Sequence, residues 1–228
     1  MILMASKSKR DSSSGDYFIR EVYCCNNEKC LRIKQMYVGD VGCVVWDAAL
    51  ALSAFLSQVD YFPASFWSGR RVIELGAGTG VVGLVAATLG ASVIVTDLPD
   101  LVSLMDMNIM ENGAVIQGRA SAKPLPWGED VSDFLPPPDI ILLADVIYYE
   151  EALSNLISTM RVLSDDHTVL LLSYEERTTG NKPEIEKKFF ELSKKYFSVE
   201  EIPNDKLDPD FSSEDIHVLK LQKLSPLL

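Results

Sequence analysis

The sequence predicts an α/β fold with a mostly parallel β-sheet that is covered by helices on both faces. From residue 70 onward, apolar β-branched runs alternate with segments of helical periodicity, the order typical of parallel sheets. The run "DIILLAD" is apolar without alternation, as expected for a strand buried on both faces. The last two strand-like runs are joined by "PNDKLDPDFSSE", which has no helical pattern. We therefore expect the final strand to be antiparallel and inserted beside its predecessors.

The first part of the chain is predicted to add a flexible tail and a β-hairpin to this sheet. Residues 1–16 are polar and Ser-rich, as is typical of a mobile tail, and we expect residues 17–228 to form a single domain. The runs "YFIREVY" and "LRIKQMY" alternate apolar and polar residues, which predicts the two strands of a hairpin. The Ala/Leu-rich run "WDAALALSAFLSQV" predicts a helix.

The remaining strands and helices follow in alternation. Strands are predicted at 70–75, 91–97, 115–122, 139–145, 167–174, 197–202 and 215–223, and helices at 80–90, 99–113 and 150–163 and after Pro183. The first of these helices is apolar on all sides, which indicates burial, and Gly90 closes it. The second has Pro99 in its first turn and Asn112-Gly113 at its end, and the last two carry apolar residues at helical spacing.

The stretch "VIELGAGTG" places alternate glycines directly after a strand. Taken as Gly78, Gly80 and Gly83, the turn matches the dinucleotide pattern G-x-G-x-x-G. Taken as Gly76, Gly78 and Gly80 behind Glu74, it is acid-x-G-x-G-x-G. The strand ends just before Gly76, which favours the second pattern. Glycine allows a positive φ and a close approach of ligand to backbone, so we predict a binding site at this end of the sheet.

The second strand of the alternating region ends in "VIVTD" and places Asp97 at its carboxyl end. A carboxylate there can accept hydrogen bonds from two ribose hydroxyls, and the alternative is a cap of the helix near Pro99. We favour the ribose contact because the glycine turn faces the same pocket. A carboxylate beside a 2′-phosphate would be repelled, which argues against NADP.

Composition argues against nucleic-acid and membrane partners. The net charge of −12 means that the surface as a whole repels phosphate backbones. The uncharged stretch 75–96 is long enough to span a bilayer, but it contains five glycines and ends in "SVIVT". Two buried strands with a helix between them explain that stretch better.

The cysteines indicate an intracellular protein. Cys24, Cys25, Cys30 and Cys43 lie in the first fifth of the chain without a secretory signal before them, so reduced thiols are expected. A zinc site is the alternative, but paired C-x-x-C knuckles are missing and both histidines are far away, so we expect no metal. The expected location is the cytoplasm, with the nucleus as the alternative, and the expected state is a monomer.

Several motifs together resemble the seven-strand S-adenosylmethionine-dependent methyltransferases. They are the glycine turn, "TDL" after the second strand and an acid-x-x-Tyr in "ADVIYYEE" after the fourth. The runs "GDVGCVVWDAA", "AATLGA", "PEIEKKFFEL" and "SEDIHV" narrow the resemblance to the protein-lysine methyltransferases of valosin-containing protein. The resemblance implies a Rossmann-like seven-strand sheet, mostly parallel with an antiparallel last strand, plus the N-terminal hairpin. It also implies S-adenosyl-L-methionine as cofactor, S-adenosyl-L-homocysteine as product, and a lysine of a AAA ATPase of the valosin-containing type as methyl acceptor.

The resemblance also implies which residues form the site. Cofactor contacts are expected at Trp46, Gly76, Ala77, Gly78, Asp97, Trp127 and Ala144, and the acid-x-G pattern adds Glu74. Asp145 and Tyr148 are the expected catalytic residues. A carboxylate at 145 would attract and align the incoming ammonium but would raise its pKa, so proton loss to water is expected rather than general-base catalysis. Tyr148 could line the lysine channel with its π-face. The alternatives are a helix cap for Asp145 and a core-edge position for Tyr148.

Some assignments stay open at this point. Glu175 and Arg177 could line a substrate entrance or form an internal ion pair, and the acidic loop 200–215 could be solvated or dock a basic substrate. A nucleic-acid or small-molecule methyltransferase, a non-catalytic binding module and an NAD-dependent oxidoreductase are the competing functions. The first is disfavoured because the fourth strand is followed by "DVIY" and not by the Asn/Asp-Pro-Pro-Tyr/Phe motif of base methylation.

Overall fold

The computed structural model of the chain describes residues 17–24, 28–63 and 65–225. The strands are β1 (Tyr17–Cys24), β2 (Lys29–Met36), β3 (Arg71–Leu75), β4 (Ser92–Asp97), β5 (Arg119–Pro124), β6 (Ile140–Ala144), β7 (Val169–Glu175), β8 (Phe197–Glu201) and β9 (Ile216–Lys223). The helices are α1 (Asp47–Leu56), α2 (Val81–Thr88), α3 (Val102–Glu111), α4 (Leu153–Leu163) and α5 (Lys182–Ser193). The predicted tail at 1–16 lies outside the described residues.

A seven-strand sheet has the order β5-β4-β3-β6-β7-β9-β8, and β1 pairs with β2 in a separate antiparallel hairpin. The strands β3 to β7 pair in parallel, whereas β9 runs antiparallel to both β7 and β8. The predicted antiparallel insertion of the last strand and the predicted hairpin are therefore confirmed. The chain leaves β3 towards β4 on one side and reaches β6 on the other. The carboxyl ends of these three strands therefore border a crevice at the topological switch point.

The sheet separates two apolar cores, as its alternating side chains require. Val72, Ile140 and Leu142 point into the core that contains α1 and α2. Ile73 and Ile141 point into the core with α4 and α5. Strands that are buried on both faces have no polar side, which is why "DIILLAD" shows no alternation. Among the described residues, no helix combines the length and the apolar character needed to cross a bilayer.

The predicted third strand of the alternating region begins later than expected. The pattern placed it at 115–122, but β5 begins at Arg119. The amides of Val115 and Ile116 both donate to the carbonyl of Asn112, so this segment still belongs to the turn after α3. At Gly118 the backbone passes so close to the neighbouring strand that a Cβ would lie 1.9 Å from the Ala91 carbonyl oxygen. Pairing with β4 can begin only after this crossing.

The hairpin is attached to the domain by two asparagines, Asn108 of α3 and Asn112 directly after α3. Asn108 accepts from the Lys34 amide at 2.7 Å and donates to the Lys34 carbonyl at 3.1 Å, and Asn112 makes the same pair of bonds with Arg32. Asn108 also donates to the carbonyl of Thr79, inside the glycine turn, at 2.9 Å. Because the two asparagines lie one helical turn apart, they bond the edge of β2 as a neighbouring strand would.

We expect Asn108→Ala to lower the free energy of unfolding by about 3 kcal/mol, because backbone groups of Lys34 and Thr79 would lose their partners in a buried region. Urea unfolding followed by circular dichroism measures this loss. The control is Asn204→Ala at an exposed position, which should change stability by less than about 0.5 kcal/mol. Equal losses in the two variants would contradict the bridging role of Asn108.

Candidate active site

A cavity of about 440 Å³ lies at the carboxyl ends of β3, β4 and β6. Its walls include every residue that the sequence assigned to the site: Trp46, Glu74, Gly76, Ala77, Gly78, Asp97, Trp127, Ala144, Asp145 and Tyr148. The volume lies within the range of roughly 300–1,000 Å³ that is common for small-molecule sites. The parallel pairing of the strands brings these residues together, because β3, β4 and β6 all end at this side of the sheet.

The glycine turn after β3 adopts the geometry of the acid-x-G-x-G-x-G pattern. Gly76, Gly78 and Gly80 have φ values of 66°, 54° and 79°, whereas Gly83 is not among the glycines with positive φ and lies within α2. The register that the strand end favoured is therefore the one observed. A Cβ on Gly78 would lie 2.6 Å from the Gly42 carbonyl oxygen, so a side chain there would collide with the opposite wall.

Asp97 lies at the end of β4 on the cavity wall, and its contact with a ribose stays a prediction. One of its carboxylate oxygens accepts from the Gly78 amide at 2.7 Å, and the other accepts from the Leu98 amide at 2.7 Å. A carboxylate offers about four lone-pair sites, so two remain for ligand hydroxyls. Burial raises the pKa of Asp97, and the two amide hydrogen bonds oppose that rise.

Glu74 lies beneath the turn and is almost completely buried, with 1% of its surface exposed. Its Oε2 accepts from the Gly83 amide at 2.8 Å, which ties the end of β3 to the start of α2. Burial raises the pKa of Glu74 to about 8, against the lowering effect of the Gly83 hydrogen bond. At neutral pH this side chain therefore carries a proton in the folded protein.

We expect the free energy of unfolding to decrease as the pH rises from 4.5 to about 8, because across that window folded Glu74 holds a proton that the unfolded chain has released. Glu74→Gln keeps an acceptor oxygen and should remove this slope, which makes it more stable than the wild type above pH 8 by a few kcal/mol. Urea unfolding between pH 5 and about 9 measures both slopes. Glu129→Gln, at an exposed position, is the control and should keep the wild-type slope. An identical slope in Glu74→Gln would mean that folded Glu74 is ionised.

Two tryptophans line the cavity from different elements. Trp46 precedes α1, donates from its indole Nε1 to the Val41 carbonyl at 2.8 Å and is 40% exposed. Trp127 lies against the turn, where a Cβ on Gly76 would come within 2.8 Å of its ring. The segment before Trp46 is fixed by buried Gln35 of the hairpin, whose Oε1 accepts from the Val45 amide at 2.7 Å. The hairpin thus supports one wall of the cavity.

Asp145 follows β6 directly and is held in an ion pair. Arg177 donates from Nη1 and Nη2 to the two Asp145 oxygens at 2.8 and 2.6 Å, and its Nη2 also contacts Glu175 at 2.8 Å. The Asp145 amide donates to the carbonyl of Ser173. Asp145 has a φ of 54°, and it is the non-glycine residue with positive φ in the part of the chain that the structure describes.

These contacts bear on the roles that the sequence predicted for Asp145 and Arg177. Sequence reasoning expected Asp145 to attract an incoming ammonium, but both of its oxygens already bond Arg177. The helix-cap alternative does not match the structure, because the next helical turn begins only at Glu150. Arg177 forms the internal ion pair and also lines the cavity, whereas its role at a substrate entrance stays a prediction.

Tyr148 forms a half-buried aromatic wall near Asp145. Its ring lies 4.5 Å from that of Tyr149 between centroids, and its carbonyl accepts from the Lys182 ammonium at 2.7 Å. Burial, followed by the negative charges of Asp97 and Asp40, raises the pKa of the Tyr148 hydroxyl well above its usual range. The hydroxyl therefore stays protonated and can donate a hydrogen bond, but it cannot serve as a phenolate base.

Sequence reasoning missed several residues that line the cavity. They are Asp40, Gly42, Leu101, Asn155 and Lys182. Asp40 caps a short 3₁₀ turn through its contact with the Val41 amide, a local signal that could have been found in "GDVGC". Asn155 and Lys182 reach the site only because α4 and α5 begin beside it, and no local pattern marks them.

The zinc alternative concerned the four cysteines near the start of the chain. Cys30 and Cys43 are free thiols, and Cys25 lies outside the described residues. Within the described ranges, no three His, Cys, Asp or Glu side chains are grouped so that they could hold a metal ion.

A family model described as "Lysine methyltransferase" matches residues 25–196. The protein N-lysine methyltransferase METTL21A of Danio rerio is 41% identical over 190 residues, with 80% of this chain and 78% of the relative covered. The METTL21A protein of Mus musculus is 37% identical at the same coverage. The EEF1A lysine methyltransferase 3 of Xenopus tropicalis is 32% identical over 203 residues, with 87% and 83% covered.

Solved structures support the same fold. The T. thermophilus 16S rRNA N2 G1207 methyltransferase RsmC, in complex with AdoMet and guanosine, has a TM-score of 0.62 at 18% identity. The match covers 92% of this chain and 52% of RsmC, so the chain spans about half the length of that protein. The putative RNA methyltransferase PH1948 of Pyrococcus horikoshii has a TM-score of 0.54 at 20% identity, with 85% and 92% covered. At these identities the likeness concerns the fold alone, and it confirms the predicted Rossmann-like seven-strand architecture.

Proposed function

The chain belongs to the lysine methyltransferase family, and from this premise we propose that its methyl acceptor is a lysine of a AAA ATPase chaperone of the valosin-containing type. The coarser activity is that of an S-adenosylmethionine-dependent protein N-lysine methyltransferase. The AAA ATPase is supported by the motifs that narrow the resemblance, among them "GDVGCVVWDAA" and "PEIEKKFFEL". The observation that supports the methyltransferase activity is one cavity that is lined by the glycine turn, Asp97 and the Asp145–Tyr148 motif.

The residues of the cavity fit S-adenosylmethionine. A glycine turn with three positive φ values lets a ligand approach the backbone, and Asp97 keeps two lone-pair sites for ribose hydroxyls. Trp46 and Trp127 provide flat apolar walls, and Ala144 ends β6 between the turn and Asp145. We assign the contacts to these residues together with Gly76, Ala77 and Gly78, and we assign Glu74 the role of supporting the turn from below. When bound, the sulfonium supplies an activated methyl group.

The chain's own residues must then align a neutral amine and exclude water. A lysine has a reference pKa of about 10.4, so neutralising it near pH 7.4 is uphill by about 3 units, or roughly 4 kcal/mol. Burial at the mouth of the cavity lowers that cost. Asp145 can accept an N–H of the amine through a lone pair that Arg177 leaves free, while Tyr148 and Tyr149 wall the channel. The proton leaves to water, because both Asp145 oxygens already bond Arg177 and the Tyr148 hydroxyl stays protonated.

The decisive experiment uses labelled S-adenosylmethionine with purified AAA ATPase of the valosin-containing type. We expect the label in methyl-lysine, located by mass spectrometry, and its loss with Asp145→Ala. Label in tRNA or in a metabolite, with none in protein, would refute the protein-lysine assignment. A thermal-shift titration with S-adenosylhomocysteine and with NAD is a cheaper first step, in which a shift with the former alone is expected.

EEF1A is the second candidate substrate. The observation that favours it is the name of two relatives, EEF1A lysine methyltransferase 3 of Xenopus tropicalis and of Mus musculus, which are 32% and 38% identical to this chain. Purified EEF1A belongs in a parallel reaction with the same enzyme and cofactor. Methylation of EEF1A without methylation of the AAA ATPase would identify EEF1A as the substrate. The reaction class, lysine methylation, would stay the same.

A further inference from the structure

We propose that Arg177 is a positioning residue that compensates the charge of Asp145, so that the acceptor lysine can lose its proton before methyl transfer. This inference rests on the proposed function, because it concerns the amine that reaches the same site. It gives a function to the Arg177–Asp145 ion pair, which the family resemblance does not explain. Arg177 acts through Asp145 and through the electrostatic potential at the mouth of the cavity.

The geometry of the ion pair is that of a fixed clamp. Two parallel N–H···O bonds of 2.8 and 2.6 Å join the Arg177 guanidinium to the Asp145 carboxylate, the bidentate arrangement with the strongest geometric preference. The Asp145 side chain is only 6% exposed and that of Arg177 23%, so the ion pair is largely shielded from water. Glu175 anchors the same guanidinium from the side, and the Trp46 ring lies 5.7 Å from its Cζ. Three side chains from three segments, Asp145, Glu175 and Trp46, thus hold one cation at the cavity wall.

The positive charge of Arg177 determines whether the site stabilises the acceptor lysine as a charged ammonium or as a neutral amine. An unpaired Asp145 carboxylate would stabilise the charged lysine and raise its pKa, which opposes deprotonation. With Arg177 in place, the pair presents little net charge to the amine, and a neutral amine can still donate an N–H to a free lone pair of Asp145. Asp145 can therefore orient the amine without trapping it as an ammonium.

The other charged and titratable groups around the mouth come from every neighbouring element. They are Glu175 at the end of β7, Lys182 at the start of α5, Tyr148 and Tyr149 after β6, Asp40 before α1, Asp97 at the end of β4 and Glu74 within β3. Glu74 has a pKa of about 8 in every variant, so it does not cause differences between their pH profiles. The hydrogen bond to Asp145 raises the pKa of Arg177, and burial raises that of Tyr148, so neither group changes its charge in the working range. The lysine of the substrate is then the group whose ionisation the pair controls.

The test is the pH dependence of kcat/KM with the AAA ATPase as methyl acceptor. Arg177→Gln should move the alkaline rise of kcat/KM upward by about one pH unit, with a loss of about tenfold at pH 7.5 that disappears near pH 10. Arg177→Lys restores a positive charge and should recover most of the shift. Glu175→Gln removes a negative charge beside the pair and should move the profile in the opposite direction, by about half a unit.

Arg70→Gln is the matched control. It breaks another Arg–Asp pair, that of Arg70 with Asp139, at the amino ends of β3 and β6 and away from the cavity. This variant should leave the pH profile unchanged. Calorimetric binding of S-adenosylhomocysteine should be the same in the variants, which verifies an intact cavity. A uniform loss at every pH in Arg177→Gln, or a shift of Glu175→Gln in the same direction, would overturn the proposal. If Arg177→Gln does not fold, the sign of the Glu175→Gln shift decides. Absence of lysine methylation by the wild type, with EEF1A as well, would instead refute the proposed function.

Discussion

Gly78→Ala is expected to weaken S-adenosylmethionine binding strongly. Gly78 has a φ of 54°, a left-handed conformation that costs a residue with a Cβ about 1–2 kcal/mol. The added methyl would also lie 2.6 Å from the Gly42 carbonyl oxygen, so the turn and the opposite wall must separate. That movement displaces the Gly78 amide from Asp97, the carboxylate proposed to bind the ribose. We expect the affinity to fall by about a hundredfold or more, since each 1.4 kcal/mol is a factor of ten.

Calorimetric titration with S-adenosylhomocysteine measures the loss, and Gly69→Ala is its control. Gly69 has a φ of 74°, but no atom lies within 4 Å of the position that its Cβ would take. Both variants therefore carry backbone strain, whereas only Gly78→Ala carries the collision. Gly69→Ala should lower stability and keep cofactor affinity. Wild-type affinity in Gly78→Ala would show that the cofactor does not lie against this turn.

Asp145→Ala is expected to reduce methyl transfer by about a hundredfold or more while cofactor binding persists. The variant removes the acceptor that orients the amine, and misalignment of a reacting group can cost about two orders of magnitude in rate. It also leaves Arg177 with Glu175 as its remaining carboxylate partner and forces a positive φ on alanine. We therefore expect a loss of about 2 kcal/mol in the free energy of unfolding as well.

Asp145→Asn separates the loss of methyl transfer from the loss of stability. Asparagine tolerates the left-handed conformation and keeps one oxygen acceptor, so stability should be closer to that of the wild type and activity should lie between the two. Asp139→Ala is the matched control, because Asp139 pairs with Arg70 at the amino end of the sheet. It should cost stability and leave kcat unchanged once the protein is folded. If Asp145→Ala turned over as fast as the wild type, the acceptor site would have to lie elsewhere in the cavity.

Local patterns predicted the sheet because they report backbone preferences directly. The change from β-branched runs to helical spacing determined the element order, and the missing helix between β8 and β9 determined the antiparallel last strand. The end of β3 also determined the register of the glycine turn. The start of β5 could not be predicted, because it depends on the crossing of Gly118 over a strand that precedes it by more than twenty residues.

The sequence by itself determined the fold and the register of the glycine turn, since both depend on local conformation and on where the strands end. The family resemblance added most of the other predicted site residues, among them Trp46 and Trp127. Only the tertiary structure decided how those residues are charged and paired. Asp145 meets Arg177 across 32 positions because β6 and β7 pair in parallel and end side by side, with Ala144 opposite Ser173. Glu74 keeps a proton because it is buried beneath the glycine turn and against α2, and Asn108 bonds Lys34 of the hairpin across 74 positions. Burial and ion pairing depend on residues that are distant in sequence and meet only in the folded protein. A local stretch of sequence therefore cannot predict them.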